Sequence, residues 1–130
     1  MLNRVLFITI ILFAVPAIAW EQEVIPPKKP TLATKVVGSW KSKKMIGACS
    51  SQINWLAYEF DSDGYYEIEV NYALNPGVPS SARGTYEIKN SQIIGNVDGM
   101  KIGPFDIGFE GELLVIHQTS PNCKFYLEKV

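Results

Sequence analysis

The two cysteines of the chain, Cys49 and Cys123, enclose most of the sequence that has the composition of a folded domain. They follow an N-terminal stretch with the features of a secretory signal, so we expect them in an oxidising compartment. Two cysteines in such a compartment most simply form one disulfide. The first prediction is therefore a covalent link between two distant parts of one exported domain.

The predicted signal peptide covers residues 1–19. Arg4 gives a positive start, the apolar run 5–15 follows, and Ala17-Ile18-Ala19 is a small-residue cleavage site. A retained membrane anchor is the alternative, but a span needs about 20 apolar residues, and Pro16 ends this run early. We therefore predict a periplasmic or secreted protein with no transmembrane segment after signal removal.

Residues 20–34 are predicted to be a proline-rich N-terminal arm, because they hold three prolines with Lys28 and Lys29 but few large apolar groups. One folded domain then occupies residues 35–130.

The net charge bears on the partner class. The 12 basic side chains fall to 11 when Arg4 is removed, against 13 acidic ones, which gives a formal charge of −2. This charge argues against a nucleic-acid partner. We expect a monomer.

The folded region consists of short runs of alternating apolar and polar residues, separated by turn-forming residues. No window keeps a helical period. The pattern predicts an all-β domain with eight strands, at 35–45, 53–60, 65–73, 82–88, 92–97, 100–109, 113–118 and 123–129.

The alternation also predicts which side chains face the interior. Tyr66 and Val70 should point inward, whereas Asn71 and Tyr126 fall on the outward parity of their strands. The sixth strand changes parity at Gly103-Pro104. A bulge there would keep its apolar residues on one face.

Tight connections favour a meander of neighbouring antiparallel strands, and such a sheet has two free edges unless its first strand pairs with its eighth. Cys49 follows the first strand and Cys123 opens the eighth. Closure therefore requires their α-carbons to lie within about 7 Å of each other. The sequence predicts an eight-stranded antiparallel up-and-down barrel with one disulfide.

Three short motifs resemble the small lipocalin-like domain proteins common in bacteria. They are Gly38-Ser39-Trp40, the hairpin from Phe60 through Asp63-Gly64 to Tyr66, and Gly84-Thr85-Tyr86-Glu87-Ile88, and the resemblance covers residues 36–130. It implies a lipocalin-like barrel whose Gly38 and Trp40 plug the closed end, with room for a small apolar ligand at the other end. The last strand has no arginine to stack on Trp40.

The longest predicted connections share one rim with the cysteines. If the barrel has a mouth, we expect it at this rim, lined by some of Met45, Ile46, Leu56, Tyr72, Leu74 and Met100. Barrels of eight strands either hold one small ligand or are filled by their own side chains. The many aromatic residues on inward parities make a filled core an equal alternative.

The sequence gives little support to an enzyme or a metal site. His117 is the sole histidine and lies in an apolar strand, which does not favour a catalytic triad. The acidic run around Asp61 and Asp63 departs from a calcium loop, because its glycine, Gly64, comes too early. We predict no enzyme, no cofactor and no metal.

Two functional hypotheses follow. The first is an exported lipocalin-like binding protein for a small hydrophobic ligand at the rim near Cys49. The second is a solid-core protein-interaction or inhibitor domain that meets an envelope protein partner through its surface and binds no small molecule.

Overall fold

The computed structural model describes residues 31–130. The predicted signal peptide and most of the proline-rich arm lie outside these residues. The described elements are, in chain order, α1 (Leu32–Lys35), β1 (Gly38–Gly47), a 3₁₀ turn (Ala48–Ser51), β2 (Ile53–Phe60), β3 (Tyr65–Tyr72), β4 (Ser80–Lys89), β5 (Gln92–Val97), β6 (Met100–Glu110), β7 (Leu113–Thr119) and β8 (Asn122–Lys129).

The eight strands form one closed barrel in which consecutive strands pair antiparallel. β1 also pairs with β8, from Trp40 opposite Lys129 to Gly47 opposite Cys123. Closure satisfies both edges that an open meander would expose. The predicted antiparallel up-and-down barrel is confirmed.

The disulfide joins the turn after β1 to the start of β8. The α-carbons of Cys49 and Cys123 are 5.7 Å apart, although 74 positions separate them in the chain. A link across a loop of this length reduces the entropy of the unfolded chain. In the loop-entropy treatment, it stabilises the folded protein by on the order of 4.5 kcal/mol. The predicted pairing is confirmed, and it fastens one rim of the barrel.

The first strand begins later than the alternation indicates, at Gly38 instead of residue 35. Thr31 caps the helical turn α1, since its hydroxyl accepts a hydrogen bond from the Thr34 N–H at 3.3 Å. Val36 is fully buried, and the Trp40 indole N–H donates to its carbonyl at 2.8 Å. This contact between residues four positions apart, together with the burial of Val36, holds the segment before β1 against the barrel. Within residues 31–130, no helix has the length and hydropathy needed to cross a membrane.

The predicted bulge in the sixth strand is present at Gly103-Pro104. Ile93 pairs with Phe105 and Gly95 pairs with Ile102, so β6 has one more residue than β5 between the two pairs. The bulge restores the inward parity of the apolar residues that follow it. Ile102 and Phe105 consequently both face the interior of the barrel.

Two side chains on the outer surface of the barrel, which were predicted to face water, are covered by other side chains and loops. Asn71 is only 6% exposed, because it accepts a hydrogen bond from the Asn54 amide and donates to the Pro76 carbonyl, each at 2.8 Å. Tyr126 is 8% exposed, and the Lys44 ammonium lies 4.6 Å from its ring centre. Strand parity gives the direction of a side chain but not what covers it.

Candidate binding surfaces

The six residues predicted to line a mouth separate into two groups. Leu56 is buried in the core and Met45 packs partly against it. The other four are exposed, from 44% for Tyr72 to 100% for Leu74, with Ile46 and Met100 between them. The structure therefore places two of the six residues in the barrel interior and four on its surface.

The opposite end of the barrel is closed by the residues around Trp40. Trp40 is 3% exposed and its ring centre lies 5.8 Å from that of Phe109. The Lys129 ammonium is 5.1 Å from the Trp40 ring centre and donates to the Val37 carbonyl at 3.1 Å. A cation on the last strand therefore does lie over Trp40, but it is a lysine and not an arginine.

Gly38 has a specific role at this closed end. Its backbone φ is +134°, a conformation that residues with a side chain rarely adopt. A Cβ atom there would come within 2.7 Å of the Lys129 side chain. Glycine thus leaves the space in which Lys129 reaches Trp40.

Four aromatic rings pack together inside the barrel, toward the end that carries Trp40. Tyr58 stacks on Phe60 with ring centres 5.1 Å apart, and Tyr86 meets Phe60 edge to face at 5.0 Å. Tyr66 completes the cluster with centres 6.1 Å from Phe60 and 6.3 Å from Tyr58. We call these four residues, Tyr58, Phe60, Tyr66 and Tyr86, the aromatic layer.

Burial changes the acidity of the hydroxyls in the aromatic layer. It raises the pKa of Tyr58 well above its ordinary value, because desolvation disfavours the anion and Tyr66 lies close by. Desolvation also raises the pKa of Tyr66 and of Tyr86. The Tyr86 hydroxyl donates to the Asp61 carbonyl at 2.7 Å. These hydroxyls are therefore neutral at physiological pH.

The aromatic layer leaves little empty space. A cavity bordered by Tyr58, Tyr66 and Tyr86 on one side, and by apolar residues of β5, β6 and β7 on the other, measures about 20 Å³. That volume suits about one water molecule. The three tyrosines could offer it hydroxyl partners, whereas an apolar ligand would not fit.

A larger concave surface lies on the outer side of β1 to β4. Two adjoining depressions of about 520 and 410 Å³ share Glu59 and Glu67 in their linings. Tyr65 and Arg83 line the first depression, and Lys41 and Trp55 line the second. We call this surface the outer groove, defined by Lys41, Trp55, Glu59, Asp61, Tyr65, Glu67, Glu69 and Arg83. No local motif of the sequence marks this surface, although strand alternation places its strand residues on outward parities.

The charged groups of the outer groove follow the strand register. Glu59 lies directly opposite Glu67, and Glu67 lies directly opposite Arg83. Arg83 forms an ion pair with Glu67 at 3.4 Å. The Lys41 ammonium is 4.7 Å from the Trp55 ring centre. The groove therefore combines carboxylates with an aromatic face that already holds a cation.

The structure shows the contacts of two further candidates from the sequence, the acidic run at Asp61 and the histidine His117. The Asp61 carboxylate accepts hydrogen bonds from the N–H groups of Asp63 and Tyr65, at 2.9 and 3.0 Å, and so shapes the hairpin between β2 and β3. His117 Nε2 lies 2.7 Å from the Asn122 side-chain oxygen. The described part of the chain brings no three metal-ligating side chains together.

The fold of residues 31–130 is similar to that of solved bacterial proteins. A lipocalin-like protein from Bacteroides uniformis has a TM-score of 0.53 at 14% sequence identity, over 74% of this chain and 99% of that chain. A second protein of that organism, solved by NMR, has a TM-score of 0.55 at 25% identity, over 75% of this chain and 90% of its own.

The lipoprotein YedD from Klebsiella pneumoniae shares 12% identity over 80% of each chain, but its TM-score of 0.48 is too low to support an argument. No protein-family model matches the sequence, and no curated protein matches it either. The two Bacteroides structures and the closed meander agree with the resemblance carried by Gly38-Ser39-Trp40 and by the hairpin from Phe60 to Tyr66. The chain therefore has the fold of the small bacterial lipocalin-like domain proteins.

Proposed function

We propose that this protein is an exported, non-enzymatic protein-interaction domain with a solid core, which meets an envelope protein through its outer surface. The observation that carries the proposal is the tight packing around the aromatic layer, where the cavity measures about 20 Å³. Sites for drug-sized ligands usually measure about 300–1,000 Å³. The barrel wall, and not its lumen, therefore offers the surface for recognition.

Opening the interior to a ligand would also be costly. Phe60 is 1% exposed and Tyr58 is 9% exposed, and both are stacked within the aromatic layer. Moving one such side chain out of the core forfeits about 1.5–3 kcal/mol of burial. A ligand would have to repay that loss before it gained any net affinity.

Export is supported by the cysteine geometry. Cys49 and Cys123 are both buried, at 7% and 0% exposure, and their α-carbons are 5.7 Å apart. Structural disulfides persist in oxidising compartments such as the periplasm or the extracellular space. The predicted signal peptide leads to the same location.

A second candidate function has one specific observation in its favour. The exposed apolar residues Ile46, Tyr72, Leu74, Val78 and Met100 all lie at the rim that carries Cys49. Where such side chains form one contiguous patch, they mark binding sites on soluble proteins. A small apolar ligand held at the rim, outside the filled core, would use these side chains.

One experiment separates the two functions. The chain beginning at Trp20 is titrated with an environment-sensitive dye and with fatty acids of several lengths, while tryptophan emission is followed. We expect no saturable change. Saturable binding that a Leu74→Ser/Met100→Ser variant loses would instead establish the rim as a ligand site and contradict the proposed function.

The protein partner is sought by affinity capture from envelope extract, with the same chain as bait. We expect one stoichiometric protein to be recovered. The matched control bait is the reduced and alkylated protein, in which the rim is no longer fastened by the disulfide. Recovery of the same protein by an unrelated barrel of equal charge would argue against a specific interaction.

A further inference from the structure

The linings of the two depressions hold two cations, Lys41 and Arg83, and four carboxylates, those of Glu59, Asp61, Glu67 and Glu69, so the outer groove is net negative. Glu59, Glu67 and Glu69 line it on the same outward face of β2 and β3. Among residues 31–130, the one ion pair within the groove is that between Arg83 and Glu67. Glu59 and Glu69 therefore remain available to a positively charged group from outside.

The register holds two of these carboxylates against each other. Glu59 and Glu67 are direct cross-strand partners on adjacent antiparallel strands. Like charges in this position destabilise a sheet. Arg83 pairs with Glu67 only, so a second cation beside Glu59 would relieve the remaining repulsion, and the arrangement favours a cationic partner over an anionic one.

The aromatic residues of the groove show the same preference. The face of Trp55 already holds the Lys41 ammonium at 4.7 Å from its ring centre. Tyr65, at the other end of the groove, is 58% exposed. Lysine and arginine side chains bind to aromatic faces and to carboxylates through complementary electrostatics. The groove offers both kinds of group along one continuous surface.

We propose that the outer groove binds a lysine- or arginine-bearing segment of a partner protein. This inference rests on the proposed function, because it names the surface and the chemistry by which the domain recognises its partner. The two depressions, of about 520 and 410 Å³, are large enough for several side chains of such a segment. The carboxylates pair with the cations, and the exposed ring of Tyr65 packs against the aliphatic part of their side chains.

The test uses a fluorescein-labelled decalysine peptide and the chain beginning at Trp20. Anisotropy is measured at low ionic strength, where the Debye length exceeds about 10 Å. We expect the Glu59→Gln/Glu67→Gln/Glu69→Gln variant to bind the peptide about tenfold more weakly, equivalent to about 1.4 kcal/mol. The substitutions keep the size and shape of the side chains, and a single cooperative thermal transition confirms the fold.

The matched control removes three exposed carboxylates outside the groove, in the variant Glu87→Gln/Glu110→Gln/Glu112→Gln. It changes the net charge equally, and we expect its affinity to stay within about twofold of the wild type. An equal loss in both variants would mean that net charge alone attracts the peptide, which would overturn the assignment of the groove.

A third variant tests whether the groove binds a partner protein or the chain's own N-terminal lysines. If Lys28→Ala/Lys29→Ala binds decalysine several-fold more tightly than the wild type, the chain's own N-terminal lysines compete for the groove, and the assignment to a partner is overturned. Unchanged affinity supports the partner. If the three-glutamate variant binds decalysine as well as the wild type while an envelope protein is still captured, the groove is not the binding surface but the proposed function stands. Saturable dye binding would refute the proposed function itself.

Discussion

The inner and outer faces of β2 and β3 are built from alternating residues of the same two strands, yet they have opposite chemistry. Inside, Tyr58, Phe60 and Tyr66 stack in a nearly dry layer. Outside, Glu59 and Glu67 oppose each other beside an open groove. The inner side chains pack against one another. On the outer face, Glu59 has no ion pair within residues 31–130.

The difference indicates where recognition takes place. An interior with a cavity of about 20 Å³ has already used its apolar surface in folding. The outer groove retains charge and exposed aromatic surface that folding did not use. Substitutions on the two faces should therefore have different readouts, with stability affected from the inside and binding from the outside.

The largest expected effect is on the inner face. Phe60→Ala should lower the free energy of unfolding by about 3–5 kcal/mol, because it removes a ring that is 1% exposed and leaves a cavity. Urea unfolding measures the change, and Phe60→Leu supplies a milder variant if the alanine variant does not fold. The outer neighbour Glu59→Ala is the control. If Phe60→Ala and Glu59→Ala lower the free energy of unfolding by similar amounts, the two faces do not differ in their contribution to stability.

A smaller effect is expected from filling space on the inner face. In Gly95→Ala the new Cβ would lie 2.7 Å from the Tyr66 hydroxyl, whose ring is held by the aromatic layer. Overpacking of this kind costs about 1–3 kcal/mol. Gly108→Ala is the matched control on β6, since its Cβ would meet nothing within 4 Å. We expect thermal unfolding to separate the two variants, and equal stability would contradict the packing described for Tyr66.

The buried hydroxyl of Tyr58 predicts a dependence of stability on alkaline pH. Desolvation raises the pKa of Tyr58 in the folded protein, while the unfolded chain ionises near pH 10. Below that pH both states keep the proton and the stability is intact. Above it the unfolded chain releases its proton first, so Tyr58 contributes a decline of about 1.4 kcal/mol per pH unit.

Urea unfolding at several alkaline pH values measures this slope, and Tyr58→Phe should make it shallower. The same two proteins at pH 7 provide the control, because tyrosine is neutral in both states there and any difference reflects packing. An identical slope in the variant would mean that the Tyr58 hydroxyl is not desolvated in the folded protein.

The smallest expected effect is on the outer face. Glu59→Gln removes the repulsion with Glu67 and should stabilise the protein by a few tenths of a kcal/mol, at the lower end of the roughly 0.2–1 kcal/mol of cross-strand pairs. High salt should abolish the gain because the pair is exposed to screening. Glu87→Gln is the control on the outer face of β4. Destabilisation by Glu59→Gln would mean that Glu59 has a stabilising partner.

The sequence predicted the strands well because their signal is local. β2 and β5 have the predicted bounds, and the bulge at Gly103-Pro104 follows from a change of parity that the residues themselves display. Contacts between distant residues were not accessible in this way. The lysine over Trp40 comes from position 129, and the burial of Asn71 depends on the fold of the loop that holds Pro76.

The candidate sites show the same limit. The sequence placed Leu56 among the lining residues of a mouth, but the structure buries it in the core. Whether the barrel is hollow depends on how Tyr58, Phe60, Tyr66 and Tyr86 share one volume, which no single strand reveals. The outer groove likewise requires four strands in register before Glu59, Glu67 and Arg83 become neighbours.

The sequence by itself determined the all-β class, the strand order and the cysteine pairing, because alternation, turn residues and the need to satisfy sheet edges are properties of the chain. The tertiary structure decided that the aromatic layer leaves only a cavity of about 20 Å³ beside it and that the charges lie along an outer groove. Packing density and cross-strand register depend on residues that are distant in sequence, and they are fixed only when the barrel closes.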